Sequence, residues 1–350
     1  SWKRMKERKW PMSEKIRLAI ATAATCDGCD MAIIDIDGML LDLLDIADIV
    51  FSQTYVDTKY EDLEKMPDGY ITASLVHGSM RDEENVHLAK LLRKKSKLMV
   101  AFGACSAFGG IPSLANSVKG GMGKIWQTVY GKDTASTVNP EGATPQHKWK
   151  TPLGRTLTLP EAEQKIVPMD RIIDVDYYLP GCPPAVSTIK TFVGAVHSHV
   201  TKGTPLPPKG AIIASEKTLC EECPRVKPEK YNIKKINRPY EIELDPEKCF
   251  LEQGIICLGV ATRAGCGAQC TKVGNMPCRG CYGPTGLVLD QGASMLSALG
   301  SILDMTDHEL DMTDDELEKI VAQVPDPLGT FYRYTFGNAI INEAVEDAEE

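Results

Sequence analysis

The sequence lacks several features that would indicate a membrane, secreted or nucleic-acid-binding protein. Its 350 residues contain no apolar run approaching the roughly 20 residues that cross a bilayer. The basic start, Ser1–Lys15, has neither an apolar core nor two adjacent arginines, so it is not a secretory signal. The net charge of −9 disfavours a general affinity for nucleic acid. We therefore expect no membrane span, no nucleic-acid partner and a cytoplasmic location.

No glycine-rich phosphate-binding fingerprint follows a predicted strand, which argues against a flavin or nucleotide site. Residues 1–11 precede Met12, and we expect them to be an upstream extension without a role in the fold. Cysteine, in contrast, is abundant: the chain has twelve. Because the cytosol keeps thiols reduced, metal ligation is favoured over a disulfide framework. Twelve cysteines divide into three sets of four ligands.

Strand and helix signals alternate in the first part of the chain. Apolar runs predict strands at Ile16–Ala23, Ile49–Tyr55, Gly69–Val76, Lys97–Phe102 and Ile172–Leu179. Helical spacing predicts helices at Met31–Leu44, Asn85–Arg93 and Ala185–His199. Strands that alternate with helices indicate βαβ units, so we expect an α/β fold with a mainly parallel sheet.

Composition divides the chain after Gly203, where prolines at 205, 207 and 208 mark a linker. The predicted first domain, 12–203, carries the sheet and a long insertion of low periodicity at about 111–171. The predicted second domain, 204–350, holds eight cysteines and is expected to have little regular structure. A segment so poor in core residues needs cross-links to be stable, and metal clusters can supply them. Its tail is predicted to be helical, with a capping box at 313–316.

The first four cysteines follow predicted strands, although they are far apart in sequence. Cys26 and Cys29 form a C-x-x-C pair after the first strand, and Cys105 and Cys182 follow two later strands. Because parallel strands end at one edge of a sheet, where open α/β sheets bind ligands, these thiols can converge. His77 follows the third strand at the same edge, and we expect it to be an ordinary polar loop residue.

Glycines accompany these cysteines, at Gly28, Gly103, Gly109, Gly110 and Gly181. Lacking a Cβ atom, they let the backbone approach a bulky inorganic group, whose sulfur atoms backbone N–H groups can then contact. A structural zinc is the alternative, but zinc sites usually combine two local C-x-x-C pairs. One such pair with two single cysteines favours an iron–sulfur cluster.

Three stretches around these cysteines, C-D-G-C, G-A-C-S-A-F-G-G and P-G-C-P-P, resemble the motifs of nickel–iron hydrogenase small subunits. The resemblance implies a flavodoxin-like N-terminal domain and a C-terminal iron–sulfur domain. It also implies a proximal 4Fe–4S cluster on Cys26, Cys29, Cys105 and Cys182. Related subunits of respiratory complex I usually have adjacent cysteines in the first motif, so the C-x-x-C spacing favours a hydrogenase.

The other eight cysteines provide ligands for two more sites, and their spacing differs from the bacterial ferredoxin run. On residue pattern alone, two zinc ribbons remain an alternative. The stretches L-C-E-E-C-P-R, P-C-R-G-C-Y-G-P, D-Q-G-A and G-T-F-Y resemble the small subunit of methyl-viologen-reducing, deazaflavin-non-reducing hydrogenases, with a likeness extending over about Met12 to Asn338.

This second resemblance implies a distal 4Fe–4S cluster on Cys220, Cys223, Cys249 and Cys257. It implies a medial cluster on Cys266, Cys270, Cys278 and Cys281. Periplasmic relatives often have only three medial cysteines and a 3Fe–4S cluster. Cys270 supplies a fourth thiolate, so we expect the medial cluster to be 4Fe–4S.

If all twelve cysteines bind clusters, none is left for nickel. Hydrogen chemistry is therefore expected on a partner large subunit, and we expect no catalytic residue in this chain. The resemblance implies that this chain carries electrons from H2 oxidation to a small 2Fe–2S subunit and heterodisulfide reductase. Alternatives are the small subunit of a deazaflavin-reducing hydrogenase or a sulfhydrogenase. A more remote alternative is a zinc-binding scaffold.

Overall fold

The computed structural model describes residues 15–134, 138–286, 288–303, 318–319 and 322–344. The strands within them are β1 Ile16–Thr22, β2 Ala47–Ser52, β3 Ile71–His77, β4 Met80–Asp82, β5 Ser96–Phe102, β6 Lys148–Lys150, β7 Thr156–Thr158, β8 Ala162–Val167, β9 Tyr177–Leu179 and β10 Ala211–Ile212. Six of them form a parallel sheet in the order β10-β9-β5-β3-β1-β2. Counted along the chain, the first five sheet strands have the order 2-1-3-4-5, which is flavodoxin-like.

The helices of this part are α1 Gly28–Ile34, α2 Gly38–Ile46, α3 Tyr60–Lys65, α4 Glu83–Lys95, α5 Gly103–Phe108, α6 Gly121–Tyr130 and α7 Val186–Lys202. Both faces of the sheet are buried, because neighbouring residues of a strand point to opposite sides. Ile20 packs with Ile33 and Ile189 on one face. Ala21 packs with Leu88 on the other. The predicted α/β, flavodoxin-like fold class is therefore confirmed.

Two predicted elements of this part were wrong in extent. The expected helix over 31–44 is two helices, because Asp37 adopts a φ of 58° between α1 and α2. The expected strand over 172–179 is only β9. The carboxylate of Asp176 accepts the Met99 N–H at 2.8 Å and the Arg93 guanidinium at 2.8 Å. These bonds hold the segment before β9 through a side chain rather than through a strand ladder.

The C-terminal part contains short helices and much irregular backbone, as predicted. Its helices are α8 Leu219–Glu222, α9 Gln269–Lys272, α10 Gln291–Ile302, α11 Pro327–Phe331 and α12 Ile340–Ala344. A separate core forms here around Phe250, Leu258, Met295 and Phe331, and Cys257 and Cys278 belong to it. The predicted capping box at 313–316 lies outside the described residues.

Two further features bear on the sequence-based expectations. β10 lies beyond the predicted domain boundary at 203 and yet extends the edge of the sheet beside β9. Among the helices of the described segments, none combines the length and the apolar character needed to cross a membrane.

Candidate metal centres

The carboxyl ends of four neighbouring strands lie in register at one edge of the sheet. Thr22 of β1 is paired with His77 of β3, His77 with Phe102 of β5, and Phe102 with Leu179 of β9. The loops and helices that follow β1, β5 and β9 carry the first cysteine group, namely Cys26, Cys29, Cys105 and Cys182. Regular structure therefore determines where this group lies.

The four thiols of this first group are close enough to affect one another electrostatically. Burial raises the pKa of Cys29, and the charges of Cys105, Cys182 and Cys26 raise it further. Burial also raises the pKa of Cys105 to about 12, with contributions from Cys182 and Cys26. The expected convergence of residues far apart in sequence is thus present in the structure.

Two glycines bring the backbone against the sulfur atoms of this group. A Cβ atom on Gly103 would lie 2.5 Å from the Cys29 Sγ, and one on Gly110 would lie 2.5 Å from the Cys105 Sγ. Both residues also have positive φ values, of 84° and 59°. The Ala104 N–H donates to the Gly181 carbonyl at 2.7 Å, which ties the loops after β5 and β9 together.

The expectation that His77 is a polar loop residue was wrong. His77 is the last residue of β3, its side chain is 0% exposed, and its Nε2 lies 3.0 Å from the Asp30 Oδ1. Burial acts to raise the pKa of Asp30, but the bonds from His77, Thr54 and Tyr55 outweigh it and hold the pKa below its usual range. This buried pair anchors the start of α1, directly beside Cys29.

The second group consists of Cys220, Cys223, Cys249 and Cys257. Burial raises the pKa of Cys220 to about 12, and the charges of Cys257, Cys249 and Cys223 add to that rise. A Cβ atom on Gly259 would lie 3.3 Å from the Cys220 Sγ and 3.7 Å from the Cys257 Sγ. The Tyr231 hydroxyl donates to the Cys249 Sγ at 3.4 Å.

The third group consists of Cys266, Cys270, Cys278 and Cys281. Burial raises the pKa of Cys281 to about 12, with further contributions from the charges of Cys266 and Cys270. Burial raises the pKa of Cys278, and the charges of Cys257 and Cys281 raise it further. The division of these eight cysteines into a second and a third group follows the family resemblance, and the charge of Cys257 also acts on Cys278 across the boundary between the two groups.

The three groups touch one another at two points and form a row. The Cys182 N–H donates to the Cys281 Sγ, which joins the first group to the third. The Cys278 N–H donates to the Cys257 Sγ at 3.2 Å, which joins the third group to the second. Each contact runs from the backbone of a cysteine in one group to the sulfur of a cysteine in the next.

The donor set fits thiolate-bound iron. All twelve cysteines are free thiols rather than disulfides. Gathering four of them at a half-buried place makes ionisation unfavourable, as the raised pKa values of Cys29 and Cys220 illustrate. Cations bound among the sulfur atoms would remove that cost, because thiolates are the ligands that iron–sulfur clusters and zinc use. The glycines beside the sulfur atoms let the backbone lie against them at places where a Cβ atom would not fit.

Sequence reasoning gave no role in the site to His77 and did not single out Arg225. His77 ends a strand whose neighbours in the sheet all lead to cysteines, which places it at the site edge. Arg225 is the last residue of the stretch L-C-E-E-C-P-R, and its side chain is only 5% exposed. A buried arginine two residues after a ligand indicates a role in the site, but burial itself is not visible in the sequence.

The chain is similar to several known hydrogenase subunits. A family model described as NADH ubiquinone oxidoreductase, 20 Kd subunit, matches residues 26–196. The iron–sulfur subunit of the F420-non-reducing hydrogenase of Archaeoglobus profundus is 39% identical over 340 residues, which are 94% of this chain and 98% of that protein. The corresponding F420-non-reducing hydrogenase subunit of Methanothermobacter marburgensis is 35% identical over 333 residues, 94% of this chain and 97% of that protein. A solved NAD+-reducing nickel–iron hydrogenase, in the H2-reduced state, matches with a TM-score of 0.44 and 30% identity, covering 56% of this chain and 98% of the matched chain.

These relatives confirm the likeness to deazaflavin-non-reducing hydrogenases, F420 being a deazaflavin. Hydrogenase small subunits of this kind pair with a large subunit that carries the nickel–iron site, and together the two are an oxidoreductase. The chain belongs to the family of iron–sulfur subunits of F420-non-reducing hydrogenases, and is thus an electron-transfer small subunit of a nickel–iron hydrogenase.

Proposed function

We propose that each of the three cysteine groups holds one 4Fe–4S cluster. The proximal cluster would be held by Cys26, Cys29, Cys105 and Cys182. The medial cluster would be held by Cys266, Cys270, Cys278 and Cys281, and the distal cluster by Cys220, Cys223, Cys249 and Cys257. The single observation that supports this most strongly is the row of groups joined by two N–H···S contacts.

A bound 4Fe–4S cluster supplies a one-electron carrier. The residues of this chain would provide the thiolates, bury those of Cys29, Cys257 and Cys278, and donate hydrogen bonds to sulfur. Cys257 is the clearest case, because it is 8% exposed and receives N–H groups from Gly259 and Cys278. Such bonds stabilise negative charge on sulfur and thereby tune the reduction potential. Electrons from H2 oxidation on the large subunit would leave through this row.

We further propose that the electrons pass to a small 2Fe–2S subunit and on to heterodisulfide reductase in the cytoplasm. The names of the relatives support an acceptor other than F420. The alternative is the small subunit of a deazaflavin-reducing hydrogenase or a sulfhydrogenase. Purification of the native complex separates these possibilities, because a flavin-free 2Fe–2S partner favours the first and a flavin-bearing partner that reduces F420 favours the second.

The first experiment is iron and acid-labile sulfide analysis of the anaerobically purified protein, with an absorption spectrum. About twelve irons and twelve sulfides support three 4Fe–4S clusters. About eleven irons would indicate a 3Fe–4S medial cluster and a different role for Cys270. Zinc without sulfide would overturn the proposal in favour of a scaffold.

Cys270→Ala tests the medial assignment directly. It should change the medial EPR signal and leave the proximal signal as it is. An unchanged medial signal would remove Cys270 from the ligand set.

The division into two functional domains, 12–203 and 204–350, is also a proposal, with 111–171 as an insertion in the first. Its support is the end of α7, where Gly203 has a φ of 68° and a proline-rich stretch follows. Residues 211–212 then return to the sheet as β10, so the connection between the domains is anchored at the sheet edge.

A further inference from the structure

Arg225 lies between the second and third cysteine groups, and its side chain is buried. It follows Cys223 by two residues and is 5% exposed. Its guanidinium stacks over the ring of Phe250, 3.8 Å from the ring centroid. Phe250 is itself 1% exposed and is the neighbour of Cys249 in sequence. Stacking on a buried ring beside a ligand-bearing residue fixes the plane of the guanidinium.

The guanidinium makes four hydrogen bonds, and these join two cysteine groups. Its Nη1 donates to the carbonyls of Asp245, at 2.9 Å, and Lys248, at 2.7 Å. Its Nε donates to the Thr271 carbonyl at 3.1 Å, and its Nη2 donates to the Asn275 Oδ1. Lys248 precedes Cys249, and Thr271 follows Cys270. One side chain therefore holds a peptide group adjacent to a ligand of the second group and one adjacent to a ligand of the third.

All four acceptors are neutral oxygens. An arginine side chain keeps its charge in proteins, and burying that charge is costly unless negative charge lies nearby. Among the described residues, no carboxylate forms a salt bridge with Arg225. The Glu247 N–H holds the pKa of the half-buried Asp245 carboxylate below its usual value, and the Arg225 charge helps to lower it. The other negative charge nearby is that of the thiolates of Cys249 and Cys270, each adjacent in sequence to a residue whose carbonyl accepts a hydrogen bond from Arg225. A positive charge placed there favours whichever form of the two sites is more negative, and reduction by one electron makes a site more negative.

We propose that Arg225 is a positioning residue shared by the medial and distal sites, and that its charge stabilises the reduced form of both. This inference rests on the proposed function, in which those two cysteine groups hold clusters. The proximal site should not respond to Arg225, because the proximal group lies at the sheet edge, in segments that Arg225 does not contact. The proximal site is therefore an internal control.

Three variants separate the charge of Arg225 from its packing. Arg225→Met removes the charge and the hydrogen bonds. Arg225→Lys keeps the charge but lacks the planar guanidinium and its set of N–H donors. Asn275→Asp keeps Arg225 in place and sets a carboxylate on its Nη2, at a position with a φ of 45° that Asp tolerates. Lys235→Met is the matched control, since it removes an exposed positive charge from the same region.

The measurement is an EPR-monitored redox titration of the anaerobic complex of this chain with its large subunit. We expect Arg225→Met and Asn275→Asp to lower the medial and distal midpoint potentials and to leave the proximal one unchanged. Arg225→Lys should lie closer to the wild type than Arg225→Met, and Lys235→Met should match the wild type because water and salt screen an exposed charge.

Several outcomes would overturn the inference. Equal shifts in all three potentials, no shift in Asn275→Asp, or a shift in Lys235→Met as large as in Arg225→Met would each do so. If Arg225→Met does not retain its clusters, Asn275→Asp and Arg225→Lys still decide the matter. A wild-type complex that contains zinc in place of iron and sulfide would instead refute the proposed function, before any variant is compared.

Discussion

The sheet region and the cysteine-rich region hold their metal ligands in different ways. In the sheet region, the cysteines follow the ends of strands whose faces are packed by two apolar cores, and one of them, Cys29, is a member of a core. In the cysteine-rich region, the ligands are themselves part of the packing: Cys257 and Cys278 belong to the core, and Cys223, Cys249 and Cys266 pack against it. The sheet region thus places its cysteines mainly through regular structure, whereas the other region packs five of its eight cysteines in or against its core.

This difference predicts how strongly each region depends on its metal. Strands β1, β3 and β5 gain stability from ladder hydrogen bonds and from apolar burial on both faces. The region from Leu219 to Tyr282 has an apolar core but only short helices, so ligation is expected to supply many of the cross-links among its loops. Loss of iron should therefore affect the two regions unequally.

The largest expected effect is that of removing iron from the purified protein with a chelator. Amide protection within 219–282 should fall by on the order of 100-fold, or about 3 kcal/mol, because ligation energy there is folding energy. Amide protection in β3 and β5 should change by less than about 10-fold. Hydrogen exchange read by mass spectrometry measures both regions in one sample.

Restoring iron and sulfide is the control, and it should bring back protection in the cysteine-rich region. Equal loss in both regions would show that the sheet depends on its cluster as much as the C-terminal part does. That result would contradict the comparison itself.

A smaller effect is expected from placing a methyl group beside the sulfur atoms of each region. Gly103→Ala should destabilise the sheet region by about 1–2 kcal/mol through its positive φ and abolish the proximal EPR signal. The added Cβ would lie 2.5 Å from the Cys29 Sγ, a distance that requires the ligand to move. Gly259→Ala, whose Cβ would lie 3.3 Å from the Cys220 Sγ, should only shift the distal signal.

Gly69→Ala is the matched control for Gly103→Ala. Its φ is 69° and nothing lies within 4 Å of the added Cβ, so it carries the backbone strain without the clash. It should lose similar stability and keep all EPR signals. If the proximal signal survives in Gly103→Ala, the loop after β5 can shift to accommodate the methyl group despite its hydrogen bond to Gly181.

The same contrast explains what the sequence could predict. Strand ends, the C-x-x-C pair and the topology rule for parallel sheets suffice to bring Cys26, Cys105 and Cys182 together, because regular structure has a period that sequence reveals. The break between α1 and α2 was missed, since it depends on Asp37 adopting a positive φ. The short β9 was missed because a side chain, Asp176, replaces part of the ladder.

In the cysteine-rich region, no period links the loops, and the grouping of its eight cysteines came from resemblance to a family. The contacts of Arg225 join residues 20, 23, 46 and 50 positions away, which no local pattern indicates. The partnership of His77 with Asp30 spans 47 residues and depends on the order of strands in the sheet. Side-chain contacts that cross between loops are decided by tertiary packing, so they had to be observed.

The smallest expected effect concerns Asp176, which stabilises the sheet region through charge. Burial acts to raise the pKa of Asp176, but Lys209, Arg93 and the Met99 N–H outweigh it and hold the pKa below its usual value. A lowered pKa in the folded state means that the stabilisation is present at neutral pH and is lost as the pH falls through the folded value. Asp176→Asn should therefore cost about 1 kcal/mol at pH 7.

The difference between Asp176→Asn and the wild type should shrink on acidification, because the wild type then loses the same charge. Hydrogen exchange of the β5 amides, followed from pH 7 downwards, measures this stability difference in the sheet region alone. Asp48→Asn is the control, since Asp48 pairs with Lys15 at 3.3 Å while 62% exposed, and such pairs contribute little. A pH-independent difference would mean that Asp176 acts through its hydrogen bonds rather than its charge. The sheet region would then be stabilised by packing and hydrogen bonds without a measurable contribution from this charge, which would sharpen its contrast with a region whose proposed ligands are charged sulfur atoms.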